Sequence, residues 1–161
     1  MKVVCFIFAR GNSKGIKNKN LLNFRNRSLL ANSITQAKKI SIIKDVFVST
    51  DSKKIMLEAL KNGAKVPFKR PKHLSLDGTP ELEAWRHAIR YLKKINYKVD
   101  YIVSLPTTSP LRNKKDILRC IKLATRKKLD FVFTVNPSIR NPYFNMVKID
   151  KKKIKKEINK K

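Results

Sequence analysis

Short, almost continuous apolar runs alternate along this chain with longer stretches whose apolar positions recur every three or four residues. That alternation predicts an α/β fold with a mostly parallel sheet, because strands covered on both faces lose the polar half of the strand pattern. The runs predict strands over Lys2–Ala9, Asp45–Thr50, Ala64–Phe68, Tyr101–Leu105 and Phe131–Val135. Between them, residues 28–40 place Leu30, Ile34 and Ala37 at helical spacing. A second helix opens on Asp51 or Ser52 as cap and closes on Gly63. A third covers Pro80–Lys94 with Leu82, Trp85, Ala88, Ile89 and Leu92 inward, Trp85 being read as core and not as a stacking platform. A fourth starts near Asn113 and carries Ile117, Ile121 and Ala124.

At 161 residues the pattern suits one domain, drawn over residues 1–147, followed by a lysine-rich tail over 148–161 with eight lysines in fourteen residues. Such a tail reads as a solvated element end or a disordered segment. The apolar run Val3–Ala9 is too short to span a bilayer and lacks a leader's cleavage pattern, so a cytoplasmic protein without a membrane partner is expected. Cys5 in a strand and Cys120 in a helix read as free core thiols.

The formal net charge of +28 changes the picture less than its size suggests. Of 39 basic residues 29 are lysine, and lysine, asparagine and isoleucine make up 58 of the 161 residues, a composition that A/T-rich codons produce without selection for a ligand. The basic residues are also spread over every helix, whereas a nucleic-acid footprint clusters on one face with arginine or aromatic anchors. The distribution argues against a dedicated nucleic-acid partner.

One segment is different. ARGNSKGIKNKN, residues 9–20, follows the first strand and holds Arg10, Lys14, Lys17 and Lys19, no acid, and two of the four glycines. In an open α/β sheet ligands bind beyond the carboxyl ends of the strands, and glycine lets backbone N–H groups approach phosphate oxygens. Arg10, Lys14 and Lys19 would neutralise a triphosphate. The segment is neither a Walker A loop nor the three-glycine dinucleotide fingerprint. A basic surface loop in a basic protein is the competing reading.

The segment ARGNSKGIKNKNL resembles the N-terminal signature of CMP-sialic acid synthetases (acylneuraminate cytidylyltransferases), and VFVSTDS (46–52), KRPKHLSLDGT (69–79) and LPTTSPLR (105–112) match in the same order. The resemblance covers about residues 2–145. It implies a Rossmann-like three-layer nucleotidyltransferase with a mostly parallel sheet. The implied reaction moves CMP from CTP to the anomeric hydroxyl of an acidic nine-carbon α-keto sugar, an N-acylneuraminate or a legionaminic or pseudaminic acid. Pyrophosphate is released, Mg²⁺ is used, and the product feeds surface-glycan or lipopolysaccharide synthesis. Phosphoryl transfer of this kind relies on positioning and charge stabilisation, which the basic loop can supply.

By that resemblance Arg10, Gly11, Asn12, Ser13, Lys14, Lys19, Asn20, Arg70 and Asp77 bind the nucleotide. Arg10 and Lys19 carry the catalytic charge, Asn20 meets the ribose or base and Arg70 the cytosine. Thr108, Ser109 and Arg112 receive the sugar and its carboxylate. Asp51 and Asp77 each have a competing reading as helix caps, and His73 and His87 are given no role. Many relatives have glutamine in place of Pro106. Family members also continue past this point with more sheet, a dimerisation excursion and a late aspartate stretch that binds the catalytic metal. None of the seven aspartates here matches that stretch, so the expectation is a C-terminally truncated member whose metal ligands are unidentified. The corresponding alternative is a chain that binds CTP without turning it over.

Overall fold

The computed structural model describes residues 1–13 and 15–135, with the backbone of 147–150 and 153–156. Its centre is β1 (Val3–Phe8), paired in parallel with β4 (Ile43–Ser49) on one side and β5 (Tyr101–Ser104) on the other. Between β1 and β4 come a two-stranded hairpin, β2 (Asn23–Phe24) with β3 (Arg27–Ser28), and helix α1 (Leu29–Lys38). Helix α2 (Lys53–Lys61) follows β4, α3 (Glu81–Lys94) precedes β5 and α4 (Lys114–Lys127) follows it. In the basic tail, β6 (Val147–Asp150) pairs antiparallel with β7 (Lys153–Lys156).

Both faces of β1 are covered, which is why its sequence shows no polar alternation. Val3, Cys5 and Ile7 face Leu30 and Ile34 of α1, Ile55 and Ala59 of α2, and Ile117 and Ile121 of α4. Val4 and Phe6 face the opposite layer with Phe47, Ala88 and Leu92. Phe6 and Ile7 are fully buried, and each contributes about 1.5–3 kcal/mol by leaving water. Burial pushes the Cys5 thiol up to about 12, against a smaller opposing effect of Arg112; Cys5 and Cys120 are both free.

Helices α1, α2 and α4 begin where hydroxyl and amide side chains accept their first free N–H groups. Ser28 accepts from Ala31, Ser52 from Ile55 and Asn113 from Asp116. Ser52, not Asp51, is therefore the cap of α2, and Gly63, with φ +75°, lies just beyond its end.

Three expectations need correction. The segment 64–68 is no continuous strand: it meets β4 at one isolated parallel bridge, Phe47 with Lys65, and a second, Thr50 with Lys69, follows just beyond both, because Pro67 has no N–H to give to a ladder. Residues 131–135 form no strand: Phe131, Phe133 and Val135 are 62%, 67% and 77% exposed and pair with no strand edge. On α3 the buried line is Ala84, Ala88 and Leu92, while Leu82 and Ile89 face solvent. Ala88 packs in one cluster with Phe6 and Phe47, whose stacked rings lie 5.0 Å apart, and a larger side chain there would hold the helix away. Trp85 is half-buried, with its ring 6.1 Å from Phe8 and its Nε1 donating to Glu81.

The β2–β3 hairpin turns on Arg25 and Asn26, both with positive φ (51° and 66°). Two-residue turns of this hand favour asparagine and glycine; an arginine in the left-handed region costs roughly 1–2 kcal/mol.

Candidate active site

Counting the segment 65–69, the parallel order is 65–69, β4, β1, β5, so the chain reverses its direction of travel across the sheet between β1 and β5. A crevice opens at such a reversal, beyond the carboxyl ends of the two strands. The loop after Phe8 and the loop after Ser104 both lie there.

Asn20 joins these loops. It is 5% exposed, its Nδ2 donates to the Arg10 carbonyl at 2.9 Å, and its Oδ1 accepts from Thr107 Oγ1 at 2.7 Å. Thr107, 4% exposed, is a site residue that sequence reasoning missed, since that reading stopped at its neighbours Thr108 and Ser109, both of which are exposed. Asn18, with φ 54°, turns the chain into the short 3₁₀ segment Lys19–Leu21, an angle asparagine tolerates better than most residues. That turn presents half-buried Lys19 on the same loop as Arg10.

On the other flank Arg10 reaches the segment that precedes α3. Its Nη2 lies 2.7 Å from Asp77 Oδ1. Asp77 thus bonds Arg10, and α3 begins after Pro80 with no side-chain cap. Asp51 accepts from the Gly11 N–H at 2.8 Å, and a Cβ on Gly11 would stand 2.8 Å from Ser52 Cβ. The glycine is required by the close passage of the loop against the start of α2, and its N–H is engaged by Asp51. At Gly15 a Cβ would meet nothing within 4 Å. Asn12 is exposed and Ser13 half-buried; Lys14 lies outside the described residues.

Arg70 is the buried cation of the site, 5% exposed. Its Nε donates to Ser49 Oγ at 3.1 Å and its Nη2 to the Ser49 carbonyl, and the guanidinium lies 5.9 Å from the Phe8 ring. Burial lowers its pKa, Asp51 and Glu81 oppose this, and Arg10 adds to it. Arg112 is used in a similar way: Nε donates to the Ser109 carbonyl at 2.9 Å and Nη2 to that of Pro106, closing the loop after β5 on itself. The arrangement therefore brings together Arg10, Lys19, Asn20, Arg70 and Asp77 with Asp51 and Thr107. It turns Arg112 toward its own loop carbonyls.

A divalent cation held with a triphosphate takes oxygen ligands from one or more carboxylates. Among the described residues no group of three His, Cys, Asp or Glu side chains is placed to hold a metal, and Asp51 and Asp77 are each bonded to an N–H donor. These residues do not by themselves fit a metal centre.

Comparison with known proteins places this geometry in context. The cytidylyltransferase family model matches residues 4–156. A post-translational flagellin modification protein B of Campylobacter coli is 36% identical over 156 residues, which is 96% of this chain and 66% of that protein. CMP-N,N'-diacetyllegionaminic acid synthase of Campylobacter jejuni is 36% identical with the same coverage. Among solved structures, a CMP:2-keto-3-deoxy-manno-octonic acid synthetase in complex with CTP superposes with a TM-score of 0.66 at 17% identity, over 80% of this chain and 49% of that one. A cytidylyltransferase of Leptospira borgpetersenii gives 0.61 at 26% identity, over 80% of this chain and 50% of that one. The chain thus spans just under two thirds of the first relatives' length and about half that of the solved chains. With its family model matched through both crevice loops and on into the tail, this chain belongs to the cytidylyltransferase family.

Proposed function

We propose that this chain binds CTP in the crevice between β1 and β5 and forms the CMP ester of an acidic nine-carbon α-keto sugar, releasing pyrophosphate. The observation that carries the reading is the Asn20 link, which fixes the loop bearing Arg10 and Lys19 against the loop after β5. Two cations from one rigid loop would then face the triphosphate. Arg10, gripped along one edge by Asp77, keeps further N–H donors for phosphate oxygens, and Lys19 adds a point charge. As charge shifts onto the departing pyrophosphate, these groups stabilise it without reorganising. Arg70 supports the floor beneath the base, and Thr108 and Ser109, exposed on the opposite loop, face the side where the sugar would enter. Mg²⁺ would supply further charge neutralisation; no step is assigned to it, because the described residues do not form its site.

Relatives named for legionaminic and pseudaminic acid are 28–41% identical over most of this chain, and those named for N-acylneuraminate 32–33%; the ranges overlap, which supports all three sugars as candidate acceptors. A cytoplasmic reaction feeding surface-glycan synthesis goes with this reading. No helix among the described residues is long and apolar enough to cross a membrane. The test is pyrophosphate release by the 161-residue protein with CTP, Mg²⁺ and each of the three sugars in turn. Release above the no-sugar control supports the proposal; none with any sugar contradicts it. The lack of a three-ligand group among the described residues favours a second reading, CTP binding without turnover, which predicts saturable CTP binding by calorimetry and no release in that assay.

A further inference from the structure

On the flank of the molecule away from α3, a cleft runs between the β2–β3 hairpin, the outer side of α1 and the loop that leads into α4. It has two adjoining lobes of about 260 and 430 Å³. Arg25, Arg27, Lys39, Arg112 and Lys114 line it, and no carboxylate does. In a chain of this charge exposed lysines are ordinary; the three guanidiniums are set apart by the contact that each makes. Arg25 lies over the Phe24 ring at 5.5 Å and sits in a left-handed turn position that an arginine adopts only under constraint. Arg27 Nη1 donates to Thr35 Oγ1 at 3.0 Å. Arg112 is fixed by the carbonyls of Pro106 and Ser109.

Two side chains of the lining each have a polar atom buried without a partner among the described residues. Gln36 Nε2 donates to the Pro110 carbonyl at 2.8 Å, yet its Oε1, like Nη1 of Arg112, is buried with no partner among the described residues. Such atoms call for a bound group or water.

The cleft shares the loop after β5 with the crevice described above, but none of Arg10, Lys19, Asn20, Arg70 and Asp77 lines it. Its helix, α1, packs on the β1 face that holds Cys5 and Ile7, whereas Arg70 lies over Phe8, on the side packed by α3. We propose that this cleft is a second anion site that takes a diphosphate group. The exposed guanidiniums of Arg25 and Arg27 can meet phosphate oxygens two at a time, and Arg112, turned to its own loop, adds charge from below; several cations without a carboxylate favour a ligand carrying more charge than one carboxylate or monophosphate. The group can come from free pyrophosphate or from a nucleoside diphosphate, whose ring would lie on the apolar wall formed by Phe24, Pro110 and Leu111.

The test is calorimetric titration of the whole chain with inorganic pyrophosphate at fixed ionic strength, with CDP and CMP as separate arms. Pyrophosphate is expected to occupy two sites, one lost in Arg10→Ala. The other weakens about tenfold or more in Arg25→Gln/Arg27→Gln, and CMP binds it about tenfold more weakly than pyrophosphate. Tighter binding of CDP than of pyrophosphate at this second site identifies the nucleotide as the source; the reverse identifies free pyrophosphate. Unchanged stoichiometry and affinity in the double variant, or loss of all binding in Arg10→Ala, overturns the proposal. A readout that needs no variant is arginine modification by phenylglyoxal in the wild-type protein, mapped by mass spectrometry. Pyrophosphate protects Arg25 and Arg27 if the site exists, and their equal modification with and without it overturns the proposal.

Discussion

Arg10 Nη2 and Asp77 Oδ1 lie 2.7 Å apart, joining the loop after the first strand to the segment before α3 across the mouth of the crevice. The two side chains are 34% and 37% exposed, so the pair contributes at most about 1 kcal/mol to stability. Its weight falls on the orientation of the guanidinium. Arg10→Lys, which keeps the charge and loses the fork, is expected to weaken CTP binding about tenfold. Asp77→Asn should weaken it severalfold with a melting temperature close to wild type. The double variant should lose less than the sum of the two, as coupled residues do. Calorimetry with thermal denaturation checks all three, and wild-type affinity in Arg10→Lys would remove Arg10 from the site.

Gly11 carries a different demand. A methyl group there meets Ser52 Cβ at 2.8 Å, and since that atom is fixed by the backbone, no rotamer change relieves the contact. Gly11→Ala is expected to cost about 1–3 kcal/mol, as overpacking does. Ser52→Gly in the same chain should recover part of the loss despite removing the cap of α2. Urea unfolding of the two single variants and the double one measures this; purely additive losses would show that the contact is not the cause.

Thr107→Val keeps the shape of the side chain but deletes the donor to Asn20 Oδ1, leaving that oxygen buried and unpartnered. The expected cost is about 1–3 kcal/mol in stability. CTP affinity should fall as well, because the loop bearing Arg10 loses its tie to the loop after β5. A stability loss with unchanged CTP affinity would mean that the tie does not shape the site.

His87 gives the protein a pH dependence of definite sign. Burial first, then Arg70, Arg90 and His73, lower its pKa below the ordinary value near 6.5, while its ring packs edge-on against Phe68 at 4.6 Å. The unfolded chain then takes up its proton at a higher pH than the folded one. His87 therefore lowers stability as the pH falls through about 6.5, and has no such effect above about 7.5. The fall in urea midpoint between pH 7.5 and 5.5 should be smaller in His87→Gln than in wild type. Equal falls would exclude His87 as the source.

The sheet and the place of its crevice were legible in the sequence because both follow from local signals: buried parallel strands are apolar without alternation, and the basic loop follows the first of them directly. Local signals also produced the errors. FVFTV has strand composition, but a strand exists only against a neighbour, and residues 131–135 pair with none among the described residues. Leu82 and Ile89 fit a helical spacing as well as Ala84 and Ala88 do; only the Phe6 and Phe47 rings on the facing sheet decide between them. That Arg10 and Lys19 stand on the loop after β1 was readable from charge and position. Asn20 and Thr107 are 87 residues apart, and no local pattern announces their bond. Arg112 looked like a ligand for a sugar carboxylate because guanidinium groups serve that purpose; its own loop carbonyls engage it first. The hairpin turn at Arg25 and Asn26 escaped notice because it lacks the glycine that usually marks such turns.

The proposed function rests on CTP binding by the loop after β1 that bears Arg10 and Lys19. Its most direct measurement is calorimetric titration of the wild-type chain and Arg10→Ala with CTP, with ATP and GTP as comparisons. The account predicts one CTP per crevice, tighter than ATP or GTP, and loss of that binding in Arg10→Ala. No CTP binding by the wild-type chain, or binding that Arg10→Ala leaves unchanged, would contradict it.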